Sequence, residues 1–228
     1  MIPTHLLNYI KKNSKYKYIS EMNCLLIILD INSICERNTF FELDCKILKL
    51  NQIMDKKRHI GTNVLIRYSA YLLFGQTKIN KLYSKLGKPY LKNSRLYFNV
   101  SHSGENSIIG ISFNKKNIGV DIEAITNINT NIASKCLSNK EYKWFSETKY
   151  NQKELLCKIW TIKESYIKAA GLGLQLLLKT VLIRKIYDPF FVVENDKYGT
   201  KIVYCFKYNN YYISLCTQMK EANDGKLY

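Results

Sequence analysis

The sequence has little arginine and little histidine, no cysteine pair spaced for a metal, and no long apolar run. Of the 35 basic residues only 5 are arginine, and histidine occurs 3 times. So few imidazoles disfavour a zinc site built from two or three histidines. The 7 cysteines are odd in number and scattered, without a C-x-x-C. They read as reduced packing residues of a cytosolic protein, not as a disulfide or zinc framework. No window approaches the ~18 apolar residues of a membrane span. The opening Met1-Ile2-Pro3-Thr4-His5 lacks the charged-then-apolar order of a signal peptide. A cytoplasmic location with no membrane partner is therefore expected. There is no P-loop and no G-x-G-x-x-G, so nucleotide sites of those kinds have no support. Low-complexity linkers and short repeats are also missing.

What is present suits a folded chain. At 228 residues and 46% hydrophobic it can bury a core in one or two domains. The net charge is +17, and the excess is uneven: 19 basic against 7 acidic residues in 1–116, 16 against 11 in 117–228. Compositional drift toward lysine explains such an excess without function. An anionic partner explains it as well: a phosphate-bearing cofactor, an acidic protein or nucleic acid. Scarce arginine and evenly spread tyrosine weigh against nucleic acid.

The apolar pattern predicts a strand at Cys24–Ile31 and a helix at Arg58–Phe74 closed by Gly75. A turn at Gly87-Lys88-Pro89 follows, then strands at Leu96–Val100, Ile108–Phe113 and Ile118–Ala124. Helices are expected from Ser138 and over Leu155–Ala170, the latter closed by Gly171. The last third reads as a meander of strands at Val181–Ile186, Phe190–Val193, Lys201–Phe206 and Tyr211–Cys216. Both halves mix strands and helices. The expected fold is α+β with two similar-sized lobes, 1–116 and 117–228, and a boundary near Asn114–Asn117.

Four constellations carry chemistry, each with a plainer reading beside it. Asp121 and Glu123 are two apart in a strand and share a face, leaving Ile118, Val120 and Ile122 to the core. Two carboxylates ~4 Å apart repel by about 4 kcal/mol at an effective dielectric near 20. Mg²⁺ between them would relieve this, being a hard cation that takes few carboxylates plus substrate phosphates. A solvated edge strand paired with lysines would relieve it too. Glu141 is a further candidate ligand, but Ser138-x-x-Glu141 is also the pattern of a capping box, and spacing alone favours the cap. Trp160, Glu164 and Lys168 are four apart on one helical stripe. The plain reading of Glu164 and Lys168 is an exposed ion pair; the indole suggests burial and a shifted carboxyl. Finally, Asn99-Val100-Ser101-His102-Ser103-Gly104 follows a strand, and its hydroxyls, imidazole and backbone N–H groups suit phosphate oxygens. An ordinary hairpin loop has the same look.

In their order, Gly87-Lys88-Pro89, Asn99 to Gly104, Gly119-Val120-Asp121-Ile122-Glu123 and Trp160-x-x-Lys163-Glu164-Ser165-x-x-Lys168 resemble the 4′-phosphopantetheinyl transferases of the larger, pseudo-dimeric Sfp type. The motifs span about Arg58 to Gly171. The resemblance implies two pseudo-related α+β lobes with coenzyme A bound between them. It implies transfer of phosphopantetheine to a serine of an apo acyl or peptidyl carrier protein, with release of 3′,5′-ADP. It also implies Asp121, Glu123 and Glu141 as Mg²⁺ ligands and Glu164 as general base. Lys168, Lys88, Pro89, Ser101, His102 and Arg58 become coenzyme A contacts, Arg58 at the 3′-phosphate. The basic surface suits an acidic carrier, and the large type works as a monomer. The chain departs from the pattern at Phe41–Lys49, where two acids stand among the expected upstream basic residues. A non-catalytic coenzyme A-binding protein and a basic nucleic-acid-binding module are the alternative readings.

Overall fold

The computed structural model describes residues 4–32, 52–114, 117–173 and 176–218. Helix α1 (Thr4–Asn13) and strand β1 (Ser14–Ile19) lead into β2 (Cys24–Asp30). The four central residues of β1, Lys15 to Tyr18, are exposed, so no alternation of apolar and polar residues marks that strand in the sequence. Helix α2 runs from Ile53 to Phe74, five residues longer at its start than the expected Arg58–Phe74, and Gly75 stops it with a left-handed φ of 64°. The acid-containing stretch 41–49 lies outside the described residues.

A small hairpin follows, β3 (Lys81–Tyr83) and β4 (Pro89–Leu91), with Gly87 at φ 82° in its turn. Strand β5 (Tyr97–Ser103) continues through the Ser-His-Ser segment expected to be a loop, and only Gly104, at φ 53°, turns the chain into β6 (Asn106–Ser112). Strand β7 (Ile118–Ala124) has the expected limits. Helix α3 (Asn139–Glu147) starts at the expected capping box. Helix α4 (Gln152–Ala170) starts three residues early, because Asn151 caps it by accepting from the Glu154 N–H. Strands β8 (Leu182–Tyr187), β9 (Phe190–Asn195), β10 (Gly199–Tyr208) and β11 (Tyr211–Gln218) form the expected meander.

The strands make two larger antiparallel sheets, ordered β1-β2-β6-β5 and β7-β11-β10-β9-β8. One face of the first sheet packs under α1 and α2, around Ile27, Leu29, Leu65 and Ile109. Its other face meets the second sheet through Leu26, Ile28, Ile108, Val120, Ile122 and Leu215. The far face of the second sheet carries α4, through Ile162, Tyr166, Val193 and Val203. The mixed α and β composition expected from the sequence is thus present, layered helix, sheet, sheet, helix. Strand β7 touches both neighbours. Ile118, Val120 and Ile122 point into the core between the sheets, while Gly119 faces α4 so closely that a Cβ there would lie 2.0 Å from the Ser165 carbonyl oxygen.

The five described cysteines are buried thiols outside any disulfide. Burial pushes the Cys136, Cys157 and Cys216 thiols up to about 12 and that of Cys205 to about 11, so they act as packing groups. Among the described residues no helix is long and apolar enough to cross a membrane.

Candidate active site

Where the two packed sheets come together, β5 and β7, the outermost strand of each, lie side by side, and side chains make the join. Asn99 Oδ1 accepts from the Val120 N–H at 2.9 Å, Ser101 Oγ donates to Asp121 Oδ1 at 2.9 Å, and Ser103 Oγ donates to Glu123 Oε2 at 2.9 Å. Ser103 Oγ also accepts from the Ala124 N–H at 3.1 Å. The period of two in Asn99, Ser101 and Ser103 aims all three at β7. The alternate residues, Val100 and His102, face a cavity of about 500 Å³ that runs along the same seam.

Helix α2 walls this cavity with His59, Asn63 and Ile66; the β3–β4 hairpin adds Lys81, Tyr83 and Pro89. The opposite wall is α4, which presents Trp160, Glu164 and Lys168. Asp121 and Glu123 lie on the floor with Ser101. Trp160, Glu164 and Lys168 therefore share one helical stripe, and it faces the acids of β7.

The acids are poorly solvated. Asp121 is 2% exposed. Lys168 Nζ donates to its Oδ1 at 2.6 Å and to Ser101 Oγ at 2.8 Å, while Asp121 Oδ2 is buried without a partner. Burial raises the Asp121 carboxyl above its ordinary range, against the opposing pull of Lys168 and Ser101. Glu123 is pushed up to about 7 by burial and by repulsion from Asp121. Glu164 is pushed to about 7 for the same two reasons, with Lys168 opposing. His102 is held down to about 4 by burial first, then by His59, Lys168 and Arg58. Its ring centroid is 5.6 Å from that of His59. A neutral imidazole at pH 7 follows, able to donate from one nitrogen and accept at the other.

Three residues singled out from the sequence stand apart from the cavity lining. Glu141 closes the capping box: its Oε2 accepts from the Ser138 N–H at 2.8 Å and from Lys163 Nζ at 2.6 Å. Lys163 is fully buried and also donates to the Cys136 carbonyl at 3.0 Å. The Arg58 guanidinium is taken by Asp55 at 2.9 Å and the Gly104 carbonyl at 3.0 Å. The Lys88 amine is turned to two backbone carbonyls, Ile118 at 2.8 Å and Lys168 at 3.0 Å. Brought together in the cavity are Pro89, Ser101, His102, Asp121, Glu123, Glu164 and Lys168.

Sequence reasoning missed the α2 wall. His59, Thr62, Asn63 and Ile66 follow the i, i+3, i+4, i+7 spacing of a single helix face, a largely polar stripe that could have revealed it. Lys163 stands in the quoted helical motif, but its role as the buried partner of Glu141 was missed, because a lysine inside a basic chain reads as surface.

A family model described as the 4′-phosphopantetheinyl transferase superfamily matches residues 117–216, which include Asp121, Glu123, Glu141, Glu164 and Lys168. The chain belongs to this superfamily. Among curated relatives, the 4′-phosphopantetheinyl transferase gsp of Aneurinibacillus migulanus is 28% identical over 190 residues, covering 78% of this chain and 79% of that protein. The transferase ffp of Bacillus subtilis is 33% identical over 150 residues, 64% of this chain and 66% of that protein. The transferase Sfp of Bacillus subtilis (strain 168) is 32% identical over 144 residues, covering 61% and 63%. The chain is a phosphopantetheinyl transferase of the Sfp type.

Proposed function

We propose that the protein transfers the 4′-phosphopantetheine group of coenzyme A to a serine of an apo acyl or peptidyl carrier protein, in a Mg²⁺-dependent reaction that releases 3′,5′-ADP. The observation that carries this reading is the convergence of Asp121, Glu123, Glu164 and Lys168 on one cavity at the seam of the two sheets. On this reading the sheets, with α2 and α4 on their outer faces, are two pseudo-related lobes, 1–116 and 117–228, and the cofactor lies between them.

The residues present suit a divalent cation. Asp121 keeps a buried oxygen without a partner, and both β7 acids are raised by burial, as carboxylates short of positive charge are. Among the described residues no three His, Cys, Asp or Glu side chains already converge on one point. Two carboxylates completed by phosphate oxygens and water are the usual environment of Mg²⁺. Asp121 and Glu123 would hold it, and it would offset the negative charge of the pyrophosphate and of the leaving 3′,5′-ADP. Glu141 gives Oε2 to Lys163 and the helix cap and keeps Oε1 buried without a partner, but it stands apart from the cavity lining, so it is better suited to hold α3 against α4 than to bind the cation.

The remaining roles belong to the chain itself. Glu164, with a carboxyl near 7, is matched to accept the proton of the carrier serine as the oxygen attacks phosphorus. Lys168, now on Asp121 and Ser101, lies where an incoming phosphate would share its charge. Neutral His102 offers a ring N–H to a phosphate oxygen. Trp160, lining the cavity beside Glu164, limits water around the base. The charge of +17 favours an acidic carrier.

The test is intact-mass analysis of an apo carrier incubated with the protein, coenzyme A and Mg²⁺. The expected result is a phosphopantetheine-sized gain, lost with EDTA and lost when the carrier serine is replaced by alanine. Coenzyme A binding without any gain on several carriers would point to a non-catalytic binding protein.

A further inference from the structure

The β3–β4 hairpin belongs to the first half of the chain but roofs a cavity whose acids sit in the second. Its base is fixed to its own side: Leu91 is buried in the core beneath α2, and Lys81 Nζ bonds Asn63 of that helix. Its tip, Ser84 to Gly87, is exposed. The tip is closed on itself by the Ser84 N–H to the Lys88 carbonyl and the Gly87 N–H to the Ser84 carbonyl, both at 2.9 Å. Lys88 then crosses the seam. Its amine reaches the carbonyl of Ile118, the first residue of β7, and the carbonyl of Lys168, in the last turn of α4.

We infer that Lys88 is a positioning residue that clamps the hairpin roof onto the junction of β7 and α4 and so fixes the width of the cavity. Both acceptors are backbone atoms of the elements that carry the acids and the base. The carbonyl end of a helix attracts a cation, and the Lys168 carbonyl takes the amine in addition to the Gly171 N–H that caps the helix at 3.2 Å. One acceptor belongs to Lys168 itself, whose side chain neutralises Asp121. The roof is thus tied to the residue that organises the floor. Tyr83, Gly87 and Pro89 line the cavity from this hairpin, so its displacement would widen the space above Lys168. Desolvation holds the Lys88 amine down to about 8, in keeping with a group built into the structure and not a mobile surface arm. A hydrogen-bonded clamp of this kind changes how tightly a small molecule is enclosed and leaves the proton transfer at Glu164 alone.

The inference rests on the proposed activity only for its ligand, so the experiment separates the two. Backbone hydrogen exchange is compared in ligand-free wild type, Lys88→Met and Lys88→Arg, together with coenzyme A binding and steady-state kinetics. In Lys88→Met, exchange over 81–91 should quicken by about tenfold or more, as expected for losing hydrogen bonds from a charged donor, while 118–124 and 152–170 change little. The KM for coenzyme A should rise by about tenfold with kcat within about twofold, and Lys88→Arg, which keeps the donors, should recover most of both. Unchanged exchange over 81–91 would overturn the clamp, as would a loss that falls on kcat alone. A direct phosphate contact also overturns it, and would show as weaker coenzyme A binding with wild-type exchange in the ligand-free protein. If Lys88→Met does not fold, Lys88→Gln replaces it with the same readouts. If wild type binds no coenzyme A, the proposed function fails, and the exchange result still decides the clamp.

Discussion

Glu141 and Lys163 form a pair in which the lysine is wholly buried and the glutamate is 18% exposed at its side chain. Such a pair adds little over an apolar replacement of both partners, but removing one leaves an uncompensated charge. Glu141→Ala should therefore lower stability by about 3–5 kcal/mol in chemical denaturation. Glu141→Gln keeps an acceptor for Ser138 and Lys163 and should cost much less. If Glu141→Gln also keeps the wild-type Mg²⁺ dependence, Glu141 acts through the helix cap and not through the cation. Glu164 makes the opposite prediction, for burial first and then Asp121 disfavour its charged form. Its carboxyl and that of Glu123 are raised to about 7, so their contribution to stability is fully present below about 4.5 and is lost as pH rises through 7. His102 acts in the other direction as pH falls below about 6.5, which is why a difference between variants is the cleaner readout. Without metal, Glu164→Gln should lose less stability than wild type between pH 5 and pH 8, by roughly 1–3 kcal/mol in thermal or chemical unfolding. The same variant should bind coenzyme A nearly normally and turn over at background rate. Equal pH slopes for both proteins would remove the electrostatic account of the site.

At the scale of elements, the acids and the base are held in place by the approach of β7 to α4. Gly119 allows that approach: a Cβ would lie 2.0 Å from the Ser165 carbonyl oxygen and 2.3 Å from the Ala169 nitrogen, both backbone atoms that cannot rotate away. Gly119→Ala should push α4 off the strand, at a cost of about 3 kcal/mol or more. It should also move Glu164 and Lys168 away from Asp121, so activity should fall well below the folded fraction measured by circular dichroism. Activity that tracks the folded fraction would show that the approach matters for stability alone. Both of these elements were legible in the sequence because their signals are local. β7 alternates and α4 ends in glycine; the gain over the sequence reading was the Asn151 cap. Strand β5 was read short because Ser101, His102 and Ser103 are polar. They face β7 and the cavity, a partner about 20 residues away that no local pattern reveals. β1 and the β3–β4 hairpin escaped for a related reason, being short and rich in exposed lysine and tyrosine.

At the scale of the molecule, the sequence reads as two stretches of mixed α and β character, and among the described residues each stretch carries one of the two larger sheets. What could not be read was how they meet. Arg58 and Lys88 are expected at the cofactor from the family resemblance alone, and in the structure both side chains are engaged with the protein, Arg58 at Asp55 and Gly104 and Lys88 across the seam. The seam has a further consequence. β7 is the outermost strand of its sheet, and a bare outermost strand invites pairing with another chain. Here the Val120 and Ala124 N–H groups are already taken by the Asn99 amide oxygen and the Ser103 hydroxyl. The strand that holds the acids is thereby shielded from aggregation through its edge, and the contacts that shield it are the same ones that fix the site.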